Sequence, residues 1–344
     1  MTGRRLLAPV LAVLAVLLMA GPIRSADVLT GAGATFPYPL YQKWFAAYEK
    51  KFPNVSIQYA PIGSGMGVEA LSKREVDFAA CDFPLSGERL ARLGRSIHQI
   101  PTVVGGLVPA YHLEGIVQDV RFSPETLSGI YLGKIRRWND QALKAINRGI
   151  NLPAREIVVI HRSDPSGSTF IWTTYLSQVS EAWRMTAGAG DTVNWPVGVG
   201  AEHNDGVAEA IAKAPDSIGY VEFIYALNHR LDYGLVRNSS GRFVPADLTA
   251  LQAAALALES EDAGESLEPI TNAAGPNAYP IASVTHFLIP DDWPAPAKRS
   301  AMLDFLSWIL TAGQKQAGSL GYVALPPGVA ERALKTVEKM KLRR

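Results

Sequence analysis

Cysteine is almost absent from the 344-residue chain, which contains only Cys81. A single cysteine rules out an internal disulfide framework and any zinc or iron–sulfur site built from several cysteines. An excess of charge of one sign is also missing, because 33 basic residues balance 32 acidic ones and the formal net charge is +1. That balance argues against a nucleic-acid binder that relies on overall positive charge, so we expect no nucleic-acid partner.

Long apolar runs are equally scarce, and the one that exists covers residues 6–20 directly after two arginines. This run of 15 residues is short of the ~20 that a membrane-spanning helix needs, which disfavours a membrane anchor. A basic start, an apolar core and a small residue before the cleavage point are typical of a secretory signal peptide. We therefore predict that residues 1–25 are a signal peptide, cleaved near Ser25 and Ala26.

Export changes both the charge and the available chemistry. Residues 1–25 contain three arginines and no acidic residue, so their removal changes the formal net charge from +1 to −2. An exported protein has little access to ATP or NAD, and we expect no cofactor. The Gly63-x-Gly65 pattern imitates a dinucleotide-binding fingerprint, but Val68 stands where that fingerprint has its third glycine or an alanine.

From residue 27 onward, β-rich runs alternate with amphipathic helices. This alternation predicts an α/β protein with mainly parallel sheets, and the length predicts two domains at about 150 residues each. The stretch 259–275 is expected to be an exposed loop. Predicted strands cover residues 55–61, 76–80, 100–111, 157–161, 218–223 and 231–237, and predicted helices begin near residues 40, 68, 168, 247, 300 and 327.

Three turns rich in glycine or serine each follow a strand or open a helix, at residues 31–37, 62–67 and 162–169. A helix N-terminus has free backbone N–H groups and a positive dipole end, which together favour an anion. Arg162 adds a guanidinium fork that suits a tetrahedral oxyanion. Ordinary helix capping explains any one turn alone, but three turns of one chemistry favour convergence on an anion.

Asp82 directly follows the predicted strand 76–80, where it is either a surface turn residue or faces the anion. A buried carboxylate repels a fully ionised anion, but it accepts a hydrogen bond from an oxyanion that keeps a proton. Phosphate keeps at least one proton at neutral pH and sulfate keeps none. Asp82 in this second role would select phosphate against sulfate.

Catalytic signatures are missing. No Gly-x-Ser-x-Gly elbow is present, so Ser64 and Ser166 lack the signature of a hydrolase nucleophile. We expect neither an enzyme nor a metal site, and we expect Cys81 to be a small packed side chain. The histidines do not have the close spacing of metal ligands: they are His98, His112, His161, His203, His229 and His286.

The mature chain closely resembles the periplasmic phosphate-binding proteins of bacterial phosphate-specific ABC importers. The resemblance extends over essentially all of it and is carried by LTGAGATFPYPLYQKW, IGSGMGV, VDFAACDFPLS, IPTVVGGL, GIYLGKIRRWND, HRSDPSGSTFIWTTYL, WPVG with NDGVAEAI, IGYVEFIYA and GYVALP.

The resemblance implies a class II periplasmic-binding-protein fold, in which two α/β lobes enclose a ligand cleft and are joined by a two-strand hinge. Lobe one would comprise residues 26–104 together with 232–344, and lobe two residues 105–231. The two crossings would lie near 100–110 and 225–235. Closure of the lobes would trap the ligand by a hinge motion.

The resemblance also implies a set of phosphate ligands. Asp82 would accept the phosphate proton, and Arg162, oriented by Asp164, would supply the positive charge. The remaining donors would be Thr35, Phe36 through its backbone N–H, Ser64, Ser166, Gly167 and Ser168. The chain departs from the family at Ser168, where threonine is usual, at Pro165, where glycine is usual, and at Cys81, where serine is common. None of these departures removes a hydrogen-bonding group assigned to the ligand.

The function implied is a non-enzymatic periplasmic receptor. It would capture inorganic phosphate with selectivity over sulfate, act as a monomer and deliver phosphate to the permease and ATPase subunits of an ABC importer. Two alternatives stay open: a binding protein for another tetrahedral oxyanion such as sulfate or molybdate, and a secreted phosphatase. A phosphate sensor or scavenger that works without a permease also stays open.

Overall fold

The computed structural model of the protein describes residues 27–259 and 269–342. The predicted signal peptide, and most of the predicted loop at 259–275, lie outside the described residues. The strands are β1 (Asp27–Gly33), β2 (Val55–Ala60), β3 (Phe78–Cys81), β4 (Ile97–Tyr111), β5 (Arg121–Phe122), β6 (Val158–Arg162), β7 (Val199–Ala201), β8 (Ser217–Glu222), β9 (Asp232–Tyr233), β10 (Leu235–Arg237), β11 (Phe243–Val244) and β12 (Ala282–Pro290).

Helices alternate with these strands along the chain. They are α1 (Tyr38–Lys51), α2 (Ser64–Ser72), α3 (Gly87–Arg92), α4 (Pro124–Tyr131), α5 (Gln141–Ile146), α6 (Gly167–Val179), α7 (Glu181–Thr186), α8 (His203–Lys213), α9 (Phe223–Asn228), α10 (Leu248–Ala255), α11 (Pro296–Ile309) and α12 (Pro327–Leu342), with 3₁₀ helices at Leu256–Glu259 and Gly313–Leu320.

Local sequence explains where the helices begin. Helix α1 carries a proline in its first turn, where no backbone N–H is needed, and it ends just before Pro53. Helix α6 begins after Ser166, whose hydroxyl accepts the backbone N–H of Thr169 as an N-cap. Helix α2 begins at Ser64, four residues earlier than the pattern predicts, because Gly63 takes a positive φ of 94° and turns the chain directly from β2 into the helix.

One continuous sheet runs through the molecule in the order β2-β1-β3-β12-β4-β8-β6-β7. Strand β4 belongs to both of its parts, because β4 pairs with β12 up to Gly106 and with β8 from Leu107. We call β2, β1, β3, β12 and residues 97–106 the first sheet half, and residues 107–111 with β8, β6 and β7 the second sheet half. Strands β11, β10 and β5 form a separate small sheet.

The expectation of mainly parallel sheets is wrong, because the sheet is mixed. Strands β1, β2 and β3 are parallel, as are β6, β7 and β8, but β12 is antiparallel to both β3 and β4, and β4 is antiparallel to β8. Alternation of strands and helices predicts parallel pairing only within each half. The two long strands β4 and β12 come from distant parts of the chain and are not joined to their neighbours by a single helix.

The predicted extended run at 100–111 is confirmed as β4, and its two central glycines lie where the strand changes partners. A Cβ on Gly105 would lie 2.6 Å from the Phe36 ring, and one on Gly106 would lie 2.5 Å from Leu251. The predicted strand 231–237 is divided at Gly234. Strand β9 pairs with the end of β4 and β10 pairs with β5, so the chain stays beside the second sheet half after residue 231.

Aromatic side chains fill the core on each side of the sheet halves. In the first half, Tyr41 lies 4.7 Å from Phe287 between ring centroids. In the second half, Trp172 stacks on Tyr220 at 5.1 Å, and Tyr131 lies 5.3 Å from Trp172. Burial of such large rings supplies much of the hydrophobic stabilisation and makes each half a rigid support for the turns at its strand ends.

Candidate functional site

The turns after β1 and β2 meet at the carboxyl edge of the first sheet half. Parallel pairing brings the ends of β1, β2 and β3 to one edge, and Gly63 donates its backbone N–H to the Gly33 carbonyl at 2.8 Å. Thr35, Ser64 and Asp82 follow the three strand ends and are buried. Ligands of open α/β sheets bind outside such carboxyl ends, so this edge is where a site is expected.

The third turn, after β6, approaches this edge from the second sheet half. Gly65 donates its backbone N–H to the Pro165 carbonyl at 3.3 Å, which joins the second and third turns directly. A Cβ on Gly167 would lie 2.3 Å from Asp82 Oδ2 and 2.5 Å from Ser64 Oγ. The backbone of Gly167 therefore packs against Asp82 and Ser64, and only a glycine fits there.

Asp82 is buried and held by hydroxyl groups. Ser64 Oγ donates to its Oδ2 at 3.1 Å and Thr285 Oγ1 donates to its Oδ1 at 2.8 Å, while Ser283 Oγ donates to its backbone carbonyl at 2.9 Å. Burial raises the pKa of Asp82 to about 6, although the two hydroxyl donors and the charge of Arg162 act in the opposite direction. Asp82 is thus mainly ionised at neutral pH.

Arg162 is buried at the end of β6 and is paired with Asp164. Its Nε donates to Asp164 Oδ1 at 2.7 Å and its Nη2 donates to Asp164 Oδ2. Asp164 Oδ1 also accepts the backbone N–H of His203 at 3.0 Å. Burial acts to raise the pKa of Asp164, but the hydrogen bonds and charge of Arg162 outweigh it and the pKa is lowered. Arg162 Nη1 is buried and has no hydrogen-bond partner among the described residues.

Thr35 and Phe36 are held through their backbone carbonyls. Tyr225 donates its hydroxyl to the Thr35 carbonyl, and Tyr322 donates its hydroxyl to the Phe36 carbonyl, both at 2.6 Å. The hydroxyl of Thr35 accepts from the side chain of Asn204 at 2.9 Å. These bonds fix the first turn from three distant parts of the chain.

All the predicted site residues lie in or beside one buried polar cluster. The structure brings together Thr35, Ser64, Asp82, Arg162 and Gly167, with Asp164 on the guanidinium. Ser166 caps helix α6, and Ser168 Oγ accepts from Asn204 Nδ2 at 3.4 Å. Phe36 has a buried side chain whose ring packs on Gly105.

Several residues of the cluster carry no signal for this site in the sequence. Asn204 opens the NDGVAEAI segment, which contributes to the family resemblance but indicates no ligand. Thr285 and Ser283 carry no signal, because they reach Asp82 from β12, about 200 residues further along the chain. Only the antiparallel placement of β12 beside β3 brings the Thr285 hydroxyl to the carboxylate of Asp82 and the Ser283 hydroxyl to its backbone carbonyl.

A second contact joins the two sheet halves at the outer edge of the cluster. Phe83 stacks on Phe170 with ring centroids 4.4 Å apart, and the Arg89 guanidinium lies 5.1 Å above the Phe83 ring. Arg89 Nη1 also contacts Asp191 Oδ2 at 3.0 Å. We call Phe83, Arg89, Phe170 and Asp191 the rim contact.

The described residues show no arrangement that would hold a metal ion. Among them, no group of three or more histidine, cysteine, aspartate or glutamate side chains is placed to hold a metal ion. Cys81 is free and fully buried, as predicted, and burial raises the pKa of its thiol. No helix within the described ranges has the length and apolar character needed to cross a membrane. The cluster offers hydrogen-bond donors, one guanidinium and one acceptor carboxylate.

A two-part mixed sheet with a polar cluster between its halves is the two-lobe type II fold of periplasmic binding proteins. The model of the PBP superfamily domain matches residues 20–312. The phosphate-binding protein PstS of Pasteurella multocida is 40% identical over 308 residues, which cover 89% of this chain and 89% of that protein. The PstS of Methanocaldococcus jannaschii is 38% identical over 339 residues, covering 92% and 87%.

Solved structures show the same fold. A phosphate-binding protein from Stenotrophomonas maltophilia matches with a TM-score of 0.68 and 19% identity, covering 90% of this chain and 94% of that chain. A putative phosphate ABC transporter substrate-binding protein from Clostridium perfringens, with bound phosphate, matches with a TM-score of 0.61 and 17% identity, covering 87% and 100%. The chain belongs to the PBP superfamily and, within it, to the PstS family of phosphate-binding proteins.

Proposed function

We propose that the protein binds inorganic phosphate in the periplasm and delivers it to an ABC importer made of permease and ATPase subunits. The relatives that carry the name of phosphate-binding protein PstS support this function. The observation that carries it is the convergence of three donor-rich turns, one guanidinium and one buried carboxylate on a single cluster. The protein is a transport component and not an enzyme.

The proposed ligands are the residues of the three turns. Arg162 provides positive charge through a guanidinium whose Nη1 has no partner among the described residues. The first turns of α2 and α6 provide backbone N–H groups and hydroxyls, which suit the oxygens of a tetrahedral anion. The ligand set is Thr35, Phe36 through its N–H, Ser64, Asp82, Arg162, Ser166, Gly167 and Ser168, with Asp164 as the support of Arg162.

Asp82 is the proposed selectivity residue. Its two carboxylate oxygens accept from Ser64 and Thr285, and the lone pairs that remain accept the proton of a phosphate hydroxyl. Sulfate has no proton at neutral pH, so it would place an oxyanion against a buried carboxylate. An unpaired buried charge of this kind costs roughly several kcal/mol, and this cost would exclude sulfate from the site.

We also propose that the two sheet halves belong to two lobes that close on the ligand. The division into 26–104 with 232–344, and 105–231, stays a prediction. The change of partners along β4 near residue 106 supports the first crossing. The pairing of β9 and β10 with β4 and β5 keeps the chain near the middle segment beyond residue 231, so a second crossing would follow these strands.

We also propose that the protein is exported, that it is cleaved near Ser25 and Ala26, and that it acts as a monomer. The apolar run at residues 6–20 supports export. N-terminal sequencing of the secreted protein tests the cleavage point, and light scattering during size-exclusion chromatography tests the monomer.

Isothermal calorimetry of the protein without residues 1–25 tests the binding function. We expect tight binding of phosphate and arsenate, which both keep a proton at neutral pH, and much weaker binding of sulfate and molybdate. Tight sulfate or molybdate binding with weak phosphate binding would favour the alternative oxyanion. A radius of gyration that does not fall on phosphate addition would contradict lobe closure.

A further inference from the structure

The side chain of Asn204 lies between the first and third turns of the phosphate site. It is fully buried at the start of α8. Its Nδ2 is 2.9 Å from Thr35 Oγ1 and 3.4 Å from Ser168 Oγ. Asn204 therefore contacts one proposed ligand hydroxyl from each sheet half.

A backbone contact decides which end of the Asn204 amide faces these hydroxyls. The side-chain Oδ1 accepts the backbone N–H of Glu222 at 3.0 Å. A backbone N–H is only ever a donor, so the atom facing it has to be the amide oxygen. The NH₂ group consequently points at Thr35 and Ser168, and the orientation follows from the hydrogen-bond network.

The orientation of the amide has a consequence for the two hydroxyls. An amide NH₂ has two hydrogens and accepts no hydrogen bond. Thr35 Oγ1 and Ser168 Oγ must both act as acceptors toward Asn204. The single hydrogen of each hydroxyl is then directed away from the amide and is free to be donated to another oxygen.

We propose that Asn204 is a positioning residue that makes Thr35 and Ser168 donors toward the bound oxyanion. The proposal rests on the proposed function, since it assigns a role within the phosphate site. Without Asn204, either hydroxyl is free to rotate and present its lone pairs, which repel an anion. With Asn204 in place, the Ser168 hydroxyl is oriented before the ligand arrives and the Thr35 hydroxyl is oriented as the two lobes close, and this positioning strengthens binding.

The backbone at the start of α8 supports this role. His203 has a positive φ of 61°, which lies in the left-handed region. This conformation costs a non-glycine residue free energy, which the surrounding contacts must offset. Its backbone N–H donates to Asp164 Oδ1 at 3.0 Å. The same turn thus orients the carboxylate that supports Arg162 and presents the amide of Asn204 to the two hydroxyls.

The substitution Asn204→Asp tests the donor role, because it preserves shape and replaces the NH₂ by an acceptor. At pH 8 the introduced carboxylate forces both hydroxyls to donate to it, so they are turned away from the ligand. We expect a loss of phosphate affinity of roughly 100-fold, on the scale of two hydrogen bonds to a charged group. At pH 5 a protonated carboxyl donates again, and we expect the loss relative to wild type to shrink to about tenfold or less.

Wild type has to be measured at each pH, because other groups near the cluster titrate as well as the ligand. Burial raises the pKa of Asp82 to about 6 and raises that of Glu222 well above its usual range. The ratio of the variant to wild-type dissociation constants removes these contributions. The charged and ionisable groups along α8 are His203, Asp205, Glu209 and Lys213. Those on neighbouring elements near its first turn are Glu222, Arg162, Asp164, Asp82 and His229.

Two further variants separate positioning from folding. Asn204→Ala removes the donor without adding charge, and we expect a loss of about tenfold at both pH values. Asn147→Asp is the matched control, since Asn147 is equally buried and its Nδ2 donates to the carbonyls of Arg121 and Leu143 away from the site. The control should lower the melting temperature and leave phosphate affinity unchanged.

The outcomes distinguish this inference from the proposed function. If wild type does not bind phosphate, the proposed function is wrong and the inference is wrong with it. If wild type binds and both Asn204 variants bind within threefold of it, only the inference is overturned. A loss in Asn204→Asp that is equal at pH 5 and pH 8 also overturns the donor role, and a loss that shrinks at pH 5 supports it.

Discussion

Asp82 and Arg162 carry opposite charges on opposite sides of the same cluster, and they are supported in different ways. Asp82 is surrounded by neutral hydroxyl donors from Ser64 and Thr285. Arg162 is paired with a full opposite charge, Asp164. The carboxylate thus keeps its charge largely uncompensated, and the guanidinium is largely neutralised before any ligand binds.

This difference explains how a cluster without an unpaired cation holds an anion. Because Asp164 offsets Arg162, the attraction for the ligand comes mainly from oriented dipoles, namely backbone N–H groups and hydroxyls such as that of Thr35. Such dipoles are strong in a buried site because little water screens them. Asp82 then acts as a filter, since it tolerates only an anion that brings a proton. Four predictions test this division of roles.

Replacement of the guanidinium should have the largest effect. Arg162→Ala leaves the partly buried Asp164 without its partner, and it also removes the only cation proposed to bind the ligand. We expect phosphate affinity to fall by roughly 1000-fold in calorimetry. Arg162→Lys is the control, because it keeps the charge but loses the planar fork. Its phosphate affinity should lie between those of wild type and Arg162→Ala. Affinity within tenfold of wild type in Arg162→Ala would show that dipoles alone suffice.

Removal of the charge on Asp82 should change selectivity more than affinity. Asp82→Asn replaces an acceptor oxygen by a donor NH₂. This group cannot accept the hydrogen bond of a phosphate hydroxyl, but it donates to an unprotonated sulfate oxygen. We expect the preference for phosphate over sulfate to shrink by roughly 100-fold, which corresponds to about 2.7 kcal/mol. Competition calorimetry with both anions measures it. An unchanged preference would remove Asp82 from the role of selectivity residue.

The pH dependence of sulfate binding separates the effect of the Asp82 charge on sulfate affinity from the effect of its side-chain shape. Burial raises the pKa of Asp82 to about 6, so the carboxyl gains a proton as pH falls through that value. Sulfate keeps its charge over this range, and its repulsion by Asp82 disappears at low pH. We expect sulfate affinity to rise by roughly 100-fold from pH 8 to pH 5, because each pH unit above the pKa lowers the protonated fraction about tenfold. Asp82→Asn should abolish this dependence, and a flat profile in wild type would contradict the assignment.

The rim contact should have the smallest effect. The ion pair of Arg89 and Asp191 is partly exposed, and pairs of this kind contribute about 0.2–1 kcal/mol. Arg89→Glu should raise the dissociation rate of phosphate about threefold, because the rim contact joins the two sheet halves. The double variant Arg89→Glu with Asp191→Arg restores the pair and should restore the rate in stopped-flow measurements. No recovery in the double variant would show that the ion pair plays no part in closure.

Part of the fold could be predicted from local patterns, and part could not. The runs that became β2, β4, β6 and β8 are visible because apolar and β-branched residues cluster between turn residues. The antiparallel placement of β12 is invisible, because a strand carries no signal for a partner almost 200 residues away. The apolar pattern places the start of α2 too late, because Gly63 allows a sharper turn than that pattern predicts.

Some residues of the candidate site could likewise be predicted from the sequence, and others could not. Ser64, Asp82 and Arg162 stand at strand ends, where chain position and residue type together identify them. Asn204 and Thr285 belong to the cluster only through contacts that span the sheet, and nothing near them along the chain points to an anion. Their contributions follow from side-chain direction, which is set by packing.

By itself, the sequence determined the class of chemistry: donor-rich turns, one arginine, one acceptor carboxylate and no metal or nucleophile signature. These features are local, because a turn and the helix after it form from neighbouring residues. Only the tertiary structure decided how Asp82 and Arg162 are supported and which end of the Asn204 amide faces the hydroxyls. A hydrogen bond depends on distances within a few tenths of an ångström. Such distances between remote segments exist only once the whole sheet has formed.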